Sequence, residues 1–333
     1  MTILNNIEID PIFVSPDKTK MAILNNDPID EVLHVVCVIS NPCMYATRYI
    51  LAREFIKRME FEPNILLYVC ELLYEDQGQT KYYVTDVKNP RHLQIKTKTP
   101  LWHKENMINV LIREKLPSSW KAVAWIDADV HFESASWATD TLKLLNGQYD
   151  MVQIFSHCVD MDKKENTMQI FQNFGYKYAN GREYSGSGLD FWHPGYAWAC
   201  TRKAYEKMGG LYEVSILGSG DHNMAFSLLG NSVKSVHENV SKDYKDSVVN
   251  YERGMKHLRL GYVPGVIRHF FHGTKKNRKY SERWQILVKH QFSPYLHLIR
   301  DPNGILQPSK ECPPGLLGDI LNYFKERNED NFA

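Results

Sequence analysis

Lys121-Ala-Val-Ala-Trp-Ile-Asp-Ala-Asp-Val-His-Phe132 is the stretch on which the reading of this chain turns. It opens as an unbroken apolar run, Ala122 to Ile126, of the kind a strand shows when both its faces are covered, although a short run alone also suits a buried helix. The run ends on two carboxylates, Asp127 and Asp129, with one small residue between them. In an extended chain side chains two apart point the same way, so both acids are expected on one side of a strand. Two like charges beside a buried strand repel and lose hydration, and they stay ionised only where a cation or several donors compensate them. A divalent ion carrying a phosphate group would do so, because hard cations take carboxylate oxygens and keep positions open. The plainer alternative is an amphipathic strand with its wet face at Asp127, Asp129 and His131.

Working outward, Leu33-His-Val-Val-Cys-Val-Ile39 is a second buried-strand run, ended by the turn Ser40-Asn41-Pro42. Ile50, Leu51, Phe55, Ile56 and Met59 fall at helical spacing between 45 and 59, and Ile65 to Cys70 is another buried strand, closing on Glu71. Strand, helix and strand with short connections imply a parallel sheet and a right-handed crossover. A further strand is expected over 92–96, helices over 102–115 and 137–145, and strands over 150–155, 196–201 and 262–271. Helices are expected over 221–229, 282–290 and 316–327, and one after 201 that stops at Gly209-Gly210. Residues 160–192, polar and rich in Gly, Asn and Tyr, read as a long functional loop or lid.

Composition sets the bounds. A chain of 333 residues with 43% hydrophobic and 24% charged residues is that of a globular protein with ample core. A net charge of +1 gives no global pull toward nucleic acid or membrane, so any anion site must be local. The 19 tyrosines and 7 tryptophans are mostly core, but aromatic surface is also what sugar rings stack on. Six cysteines lie scattered, Cys37, Cys70 and Cys200 inside apolar stretches, which reads as reduced thiols and a cytosolic setting. The N-terminus shows neither a basic n-region nor a long apolar h-region, and no apolar window approaches the roughly 18–20 residues a membrane span needs, so neither a signal peptide nor an anchor is expected.

Two more clusters carry chemistry. In Arg268-His-Phe-Phe-His-Gly-Thr-Lys-Lys-Asn-Arg-Lys-Tyr280, His269 and His272 stand at an expected strand end and run into a basic loop. A basic loop is ordinarily a solvated one; beside a metal site it suits a diphosphate leaving group. In Ile216-Leu-Gly-Ser-Gly-Asp-His-Asn-Met224, Asp221 opens a helix. An ordinary N-cap accounts for it locally, and a general base is the functional alternative.

The acidic pair, the Gly-Gly-Leu-Tyr-Glu213 turn, the Gly-Ser-Gly-Asp221 turn and the His-led basic loop occur in an order that resembles the metal-dependent GT-A glycosyltransferases. Within them the layout is most similar to the inverting β-1,4-galactosyltransferase-like and chondroitin-polymerase-like enzymes. The similarity spans roughly residues 33–290 as ordered motifs. Two longer runs, Pro100-Leu-Trp-His-Lys-Glu-Asn106 and Asn277-Arg-Lys-Tyr-Ser-Glu-Arg-Trp284, resemble a glycosyltransferase-like group of large DNA viruses.

The resemblance implies an α/β fold of GT-A type, with a Rossmann-like, mostly parallel central sheet flanked by helices. It implies an extension over 1–30, a catalytic domain over 31–300 (nucleotide-binding half 31–132, acceptor and metal half 133–300), and a helical tail over 301–333. The activity implied is transfer of a hexose from a UDP-sugar to a glycan or other hydroxyl acceptor, with Mn²⁺ or Mg²⁺ and with inversion. Asp129 would bind the ion directly, with His272 the distal ligand, His269 its alternative, and Asp127 facing the ribose and the ion's water shell. Asp221 would be the base, where those families carry a Glu-Asp pair and this chain reads Gly-Asp-His222. Ser40, Asn41 and Pro42 would border the nucleobase and ribose, Glu71 would contact uracil, and Lys104 and Asn109 would match basic and Asn positions of the preceding helix. Lys275 and Lys276, in the loop 273–279, would cover the diphosphate, and Tyr196, Trp198 and His222 would border donor sugar and acceptor. Two rivals remain: a catalytically silent nucleotide- or glycan-binding protein of this fold, and a sugar-nucleotide pyrophosphorylase. The latter needs a Gly-rich basic phosphate loop after the first strand, which Ser40-Asn41-Pro42 is not.

Overall fold

The computed structural model describes residues 2–28, 31–185 and 191–330. A short hairpin (β1, Thr2–Leu4; β2, Ile7–Ile9) and helix α1 (Pro16–Leu24) precede the run Leu33–Ser40, which forms β3. Helix α2 (Ala46–Glu60) returns to β4 (Ile65–Tyr74), and β5 (His92–Thr97) pairs with β4 in turn. Helix α3 (Lys104–Lys115) then crosses to β6 (Ala122–Ile126) on the other side of β3. Strands β3, β4, β5 and β6 are mutually parallel, as their continuous burial anticipates. Between β3 and β6 the order of connections reverses, and in open α/β sheets a crevice for ligands lies at that point, beyond the carboxyl ends of the strands. Ser40 and Asp127 border this crevice.

The chain leaves the large sheet after Ile126. Ala128 and Asp129 form a turn and β7 (Val130–Phe132) starts a second sheet, so the expectation of one extended strand bearing both acids is corrected. The acids are separated by a turn between two sheets. Helix α4 (Trp137–Leu145), β8 (Met151–Gln153) and the hairpin β9 (His157–Met161) and β10 (Thr167–Gln172) follow. The segment read as a single loop over 160–192 thus begins as a hairpin and continues as helix α5 (Phe174–Ala179); its residues 186–190 lie outside the described residues.

Strand β11 (Ala197–Thr201) enters the large sheet antiparallel between β6 and β8, with Ala197 opposite Ile126. Its beginning therefore lies at the crevice edge. Helix α6 (Arg202–Met208) stops at Gly209, whose φ of 74° is the left-handed conformation a helix end favours. Helices α7 (Gly220–Leu228) and α8 (Lys242–Met255) follow, α8 having been missed in the sequence. The strand expected over 262–271 is two strands. β12 (Leu260–Tyr262) ends the large sheet, Pro264 and Gly265 break the run, and β13 (Val266–His269) joins the small one. Helix α9 (Trp284–Lys289), the pair β14 (Leu298–Arg300) and β15 (Leu306–Pro308), and helix α10 (Pro314–Glu326) complete the chain.

The large sheet runs β12-β8-β11-β6-β3-β4-β5 and the small one β10-β9-β13-β7. Phe55, Met59 and Leu145 pack on one face of the large sheet, and Met107, Leu111, Met208 and Met224 on the other. A third core joins Tyr244, Leu287, Phe292 and the buried side of α10. The six cysteines form no disulfide, and among the described residues no helix is long and apolar enough to cross a membrane.

Candidate active site and metal centre

Register assembles the first part of the site. β13 lies between β9 and β7, so its last residue, His269, sits opposite Asp160 on one side and Val130 on the other. Val130 follows Asp129, whose carbonyl accepts from the Phe270 N–H. The His269 Nδ1 is 2.7 Å from Asp160 Oδ1, in a carboxylate that is only 1% exposed. That bond places the ring proton on Nδ1 and leaves the Nε2 lone pair facing Asp129 and His272. Burial lowers the His269 pKa, partly offset by Asp160, so the ring is neutral at pH 7.

Three ligand-type atoms converge here. His272 Nε2 is 2.9 Å from Asp129 Oδ2, His269 Nε2 is 3.8 Å from the same oxygen, and the two Nε2 atoms are 3.3 Å apart. Arg278 Nη2 also lies 2.8 Å from His272 Nε2. A single nitrogen cannot both donate to Asp129 and accept from Arg278, so the cluster is frustrated without a further cation. The other Asp129 oxygen, Oδ1, is buried with no hydrogen-bond partner among the described residues. Atoms sharing one ion through bonds of about 2.1 Å stand about 3 to 3.5 Å apart, which these spacings approach. The residues present therefore fit a divalent ion held by Asp129, His269 and His272. Burial alone would raise the Asp129 carboxyl, but His272 and then Arg278 outweigh it and hold the carboxyl well below the usual range.

Asp127 stands apart from this triad. Its carboxylate pairs with Lys104 Nζ, at the start of α3, at 2.5 Å. Burial raises the Asp127 pKa, and Asp129 adds to this against Lys104. The Asp127 N–H donates to the Tyr196 carbonyl at 2.9 Å. Tyr196 adopts φ of 80°, a conformation disfavoured for a side chain with a Cβ, and its ring stacks on His193 at 4.3 Å and lies 4.6 Å from His269. Burial drives the His193 pKa down to about 3, leaving a neutral ring against the site.

The opposite wall is the start of α7. Its N-cap is Ser219, at φ of 82°, and Asp221 is the second helical residue, so the N-cap reading of Asp221 is corrected. Asp221 Oδ1 accepts from the His222 N–H, and Oδ2 faces Gly195 so closely that a Cβ there would stand 2.9 Å from it. Beneath lies Glu105, 6% exposed, packed on Gly220, with Oε2 lacking a hydrogen-bond partner among the described residues. Burial raises its pKa to about 7.

A cavity of about 830 Å³ connects these groups. Ser40, Asn41, Pro42, Lys104, Asp127, Asp129, Tyr196, Asp221, His222, His269, His272 and Lys275 all line it. Four expected residues do not. Glu71 turns both carboxylate oxygens onto the Tyr83, Val84 and Thr85 N–H groups, at 2.7 to 3.0 Å, and is 3% exposed. Trp198 is buried in the core with its indole N–H donating to the Pro194 carbonyl. Asn109 is spent on Leu211, Tyr205 and Glu213. Lys276 is exposed and outside the lining. Asn41, although it lines the cavity, directs its amide to the Tyr45 backbone.

Several site residues were not singled out in the sequence. Asp160 holds His269 and also pairs with Lys275 at 2.5 Å. Glu329, 1% exposed, joins Arg48 at 2.5 Å and Arg327 at 2.7 Å, and lies 3.7 Å from His272 Nδ1. The stretch after α10 is thereby a wall of the site. Asp330 accepts from the Ala46 and Thr47 N–H groups at the start of α2, and Lys279 pairs with Glu326. No local pattern marks these acids, because their partners lie across the chain.

No protein-family model matches the chain, and no characterised protein matches it in sequence. Among solved structures it is similar to the catalytic domain of Drosophila β1,4-galactosyltransferase 7 in complex with xylobiose, at a TM-score of 0.36 and 9% identity over 87% of this chain and 98% of that one. Mannosyl-3-phosphoglycerate synthase from Rubrobacter xylanophilus gives 0.35 and 11%, over 89% and 88% of the two chains. 4-Diphosphocytidyl-2C-methyl-D-erythritol synthase from Anaerococcus prevotii gives 0.33 and 12%, over 71% and 88%. At such TM-scores the likeness carries no weight for function. What the molecule itself displays is a mixed α/β fold, its mostly parallel sheet bearing an acid-and-histidine centre at the switch point.

Proposed function

We propose that the chain is a GT-A-type glycosyltransferase, moving a hexose from a UDP-sugar to a hydroxyl acceptor with inversion. The observation that carries this reading is the meeting of Asp129, His269 and His272 with Lys104, Lys275 and Asp221 around one cavity, from segments distant in sequence. The ion held by the triad is read as Mn²⁺ or Mg²⁺, as the family resemblance implies, while the second imidazole moves the balance toward Zn²⁺. When bound, it supplies positive charge to the diphosphate oxygens.

The chain's own groups do the rest. Lys275 and Arg278 face the departing diphosphate and offset its charge. Asp221 takes the proton of the acceptor hydroxyl as its oxygen bonds to the anomeric carbon. The bond from that carbon to the diphosphate oxygen breaks in the same event, leaving its electron pair on the diphosphate. Tyr196 and His193 form an aromatic floor for the sugar ring and keep water from the reacting carbon.

Calorimetry with UDP and Mn²⁺, followed by turnover with a panel of UDP-sugars, tests the reading. Asp129→Ala is expected to abolish Mn²⁺-dependent UDP binding, and Asp221→Asn to spare binding and lose transfer. Tight UDP binding with neither hydrolysis nor transfer across the panel would favour the silent binding protein instead.

A further inference from the structure

Most cations lining the cavity already have an acid. Lys104 is paired with Asp127, Lys275 with Asp160, and Arg48 and Arg327 share Glu329. Arg278 bonds His272 and, from the other nitrogen, the Tyr280 hydroxyl. Arg283 differs. It is 8% exposed and lines the cavity, yet its bonds among the described residues go only to neutral groups, the Tyr323 hydroxyl at 3.2 Å and the Ser219 hydroxyl. Its guanidinium also sits 5.3 Å from the Tyr280 ring centroid. Burying a charge against neutral partners is costly unless a counter-ion arrives.

The position of this charge is specific. Ser219 caps α7, two residues before Asp221, and Gly218 takes φ of 87° with Arg283 Nη1 3.2 Å from where a Cβ would be. The guanidinium therefore lies against the loop that presents Asp221. The amide N–H groups opening α7 add positive potential on the same side. Burial tends to raise the nearby Tyr323 hydroxyl, but Arg283 and then Arg327 outweigh it and hold the pKa below its ordinary value. Lys234 and His237 line the same end of the cavity. Asp221 is the acid at this end, and a nucleoside diphosphate sugar accompanied by a divalent ion brings almost no net charge, so the donor adds no counter-ion for the second positive charge of Arg283 and Lys234.

We propose that the end of the cavity beside Asp221 binds an anionic group of the acceptor, a carboxylate or a phosphate, with Arg283 as its principal contact. This rests on the glycosyltransferase reading and narrows it: the acceptor is a charged glycan or sugar phosphate. Arg is suited to the task because its planar fork meets either anion through two parallel hydrogen bonds.

The test compares binding of a neutral methyl hexoside, the matching methyl hexuronide and the hexose 6-phosphate, in gluco and galacto series, to the full chain with UDP and Mn²⁺ present. One charged form is expected to bind at least about tenfold tighter than the neutral one, as a charge-assisted pair should provide. Which form wins distinguishes carboxylate from phosphate. Arg283→Gln should bring the ratio close to one, whereas Arg283→Lys should keep part of the preference; a merely structural role would leave the ratio unmoved in a folded variant. Equal binding of charged and neutral forms overturns the proposal. So does a fall in UDP affinity in Arg283→Gln as large as the loss of anion preference, which would assign Arg283 to the donor. Absence of UDP binding to the unsubstituted protein would instead remove the transferase reading, and it is scored separately from the acceptor comparison.

Discussion

Replacing Asp160 by Asn probes the metal centre without touching a proposed ligand. In the native chain Asp160 Oδ1 takes the His269 Nδ1 proton at 2.7 Å while Oδ2 meets Lys275 Nζ at 2.5 Å. An Asn side chain has one acceptor oxygen and one donor nitrogen, and both of its neighbours are donors. If its oxygen serves His269, its NH₂ opposes the Lys275 ammonium. If it serves Lys275, its NH₂ forces the His269 proton onto Nε2, the atom that faces Asp129 and His272. Either arrangement weakens the centre. Loss of such a supporting carboxylate typically costs 10–100-fold in metal affinity, about 1.4–2.7 kcal/mol. Mn²⁺ titration of the full chain at pH 7.5, by calorimetry or by the loss of free-ion EPR signal, reads this directly. Because His269 is held neutral by burial, protonation does not obscure the result at that pH. A folded Asp160→Asn protein that binds Mn²⁺ as tightly as the native one would refute the argument that His269 is a prepared ligand.

Further outcomes follow from other buried groups. Glu329→Gln leaves the guanidiniums of Arg48 and Arg327 without their shared acid and should cost about 3–5 kcal/mol in urea unfolding; a loss below about 1 kcal/mol would show that the stretch after α10 is not a stabilising wall. Glu105, with its folded pKa raised to about 7, holds a proton the unfolded chain releases near 4.5, so its stabilising share is present below about 4.5 and lost as pH rises through 7. Glu105→Gln should therefore be more stable than the native chain at pH 8 by about 1–3 kcal/mol, with the advantage shrinking toward pH 5; a constant difference across that range would contradict the assignment. His193 and His103, with pKa values lowered to about 3 and about 4 by burial, should make unfolding free energy fall as pH drops from 6.5 to 4.5, since the unfolded chain takes up protons that the folded one refuses. Measured stability that stays flat over that interval would count against their buried neutral state.

Much of the frame was readable because burial leaves a signature in composition. The runs Leu33–Ser40, Ile65–Tyr74 and Ala122–Ile126 are apolar on both faces, as parallel strands under helices must be, and the helices at 46–60 and 104–115 show their apolar stripes. The break at Pro264-Gly265 was less legible: Pro and Gly punctuate a chain, but nothing local says that the strand beyond them belongs to another sheet.

The chain's own order of residues determined that Asp127, Asp129, His269, His272 and Asp221 were candidates, since carboxylates and imidazoles at the ends of apolar runs are conspicuous. Only the tertiary structure decided their partners. The turn after Ile126 sends Asp127 to Lys104 and Asp129 to the histidines, and the register of β13 delivers Asp160 from 109 positions away. Glu329 reaches Arg48 across 281 positions. A hydrogen bond depends on an approach within about 3 Å, whereas local patterns of polarity report only which side of an element is buried. Partnerships between distant segments leave no such pattern, and so they became visible only once the sheets were assembled.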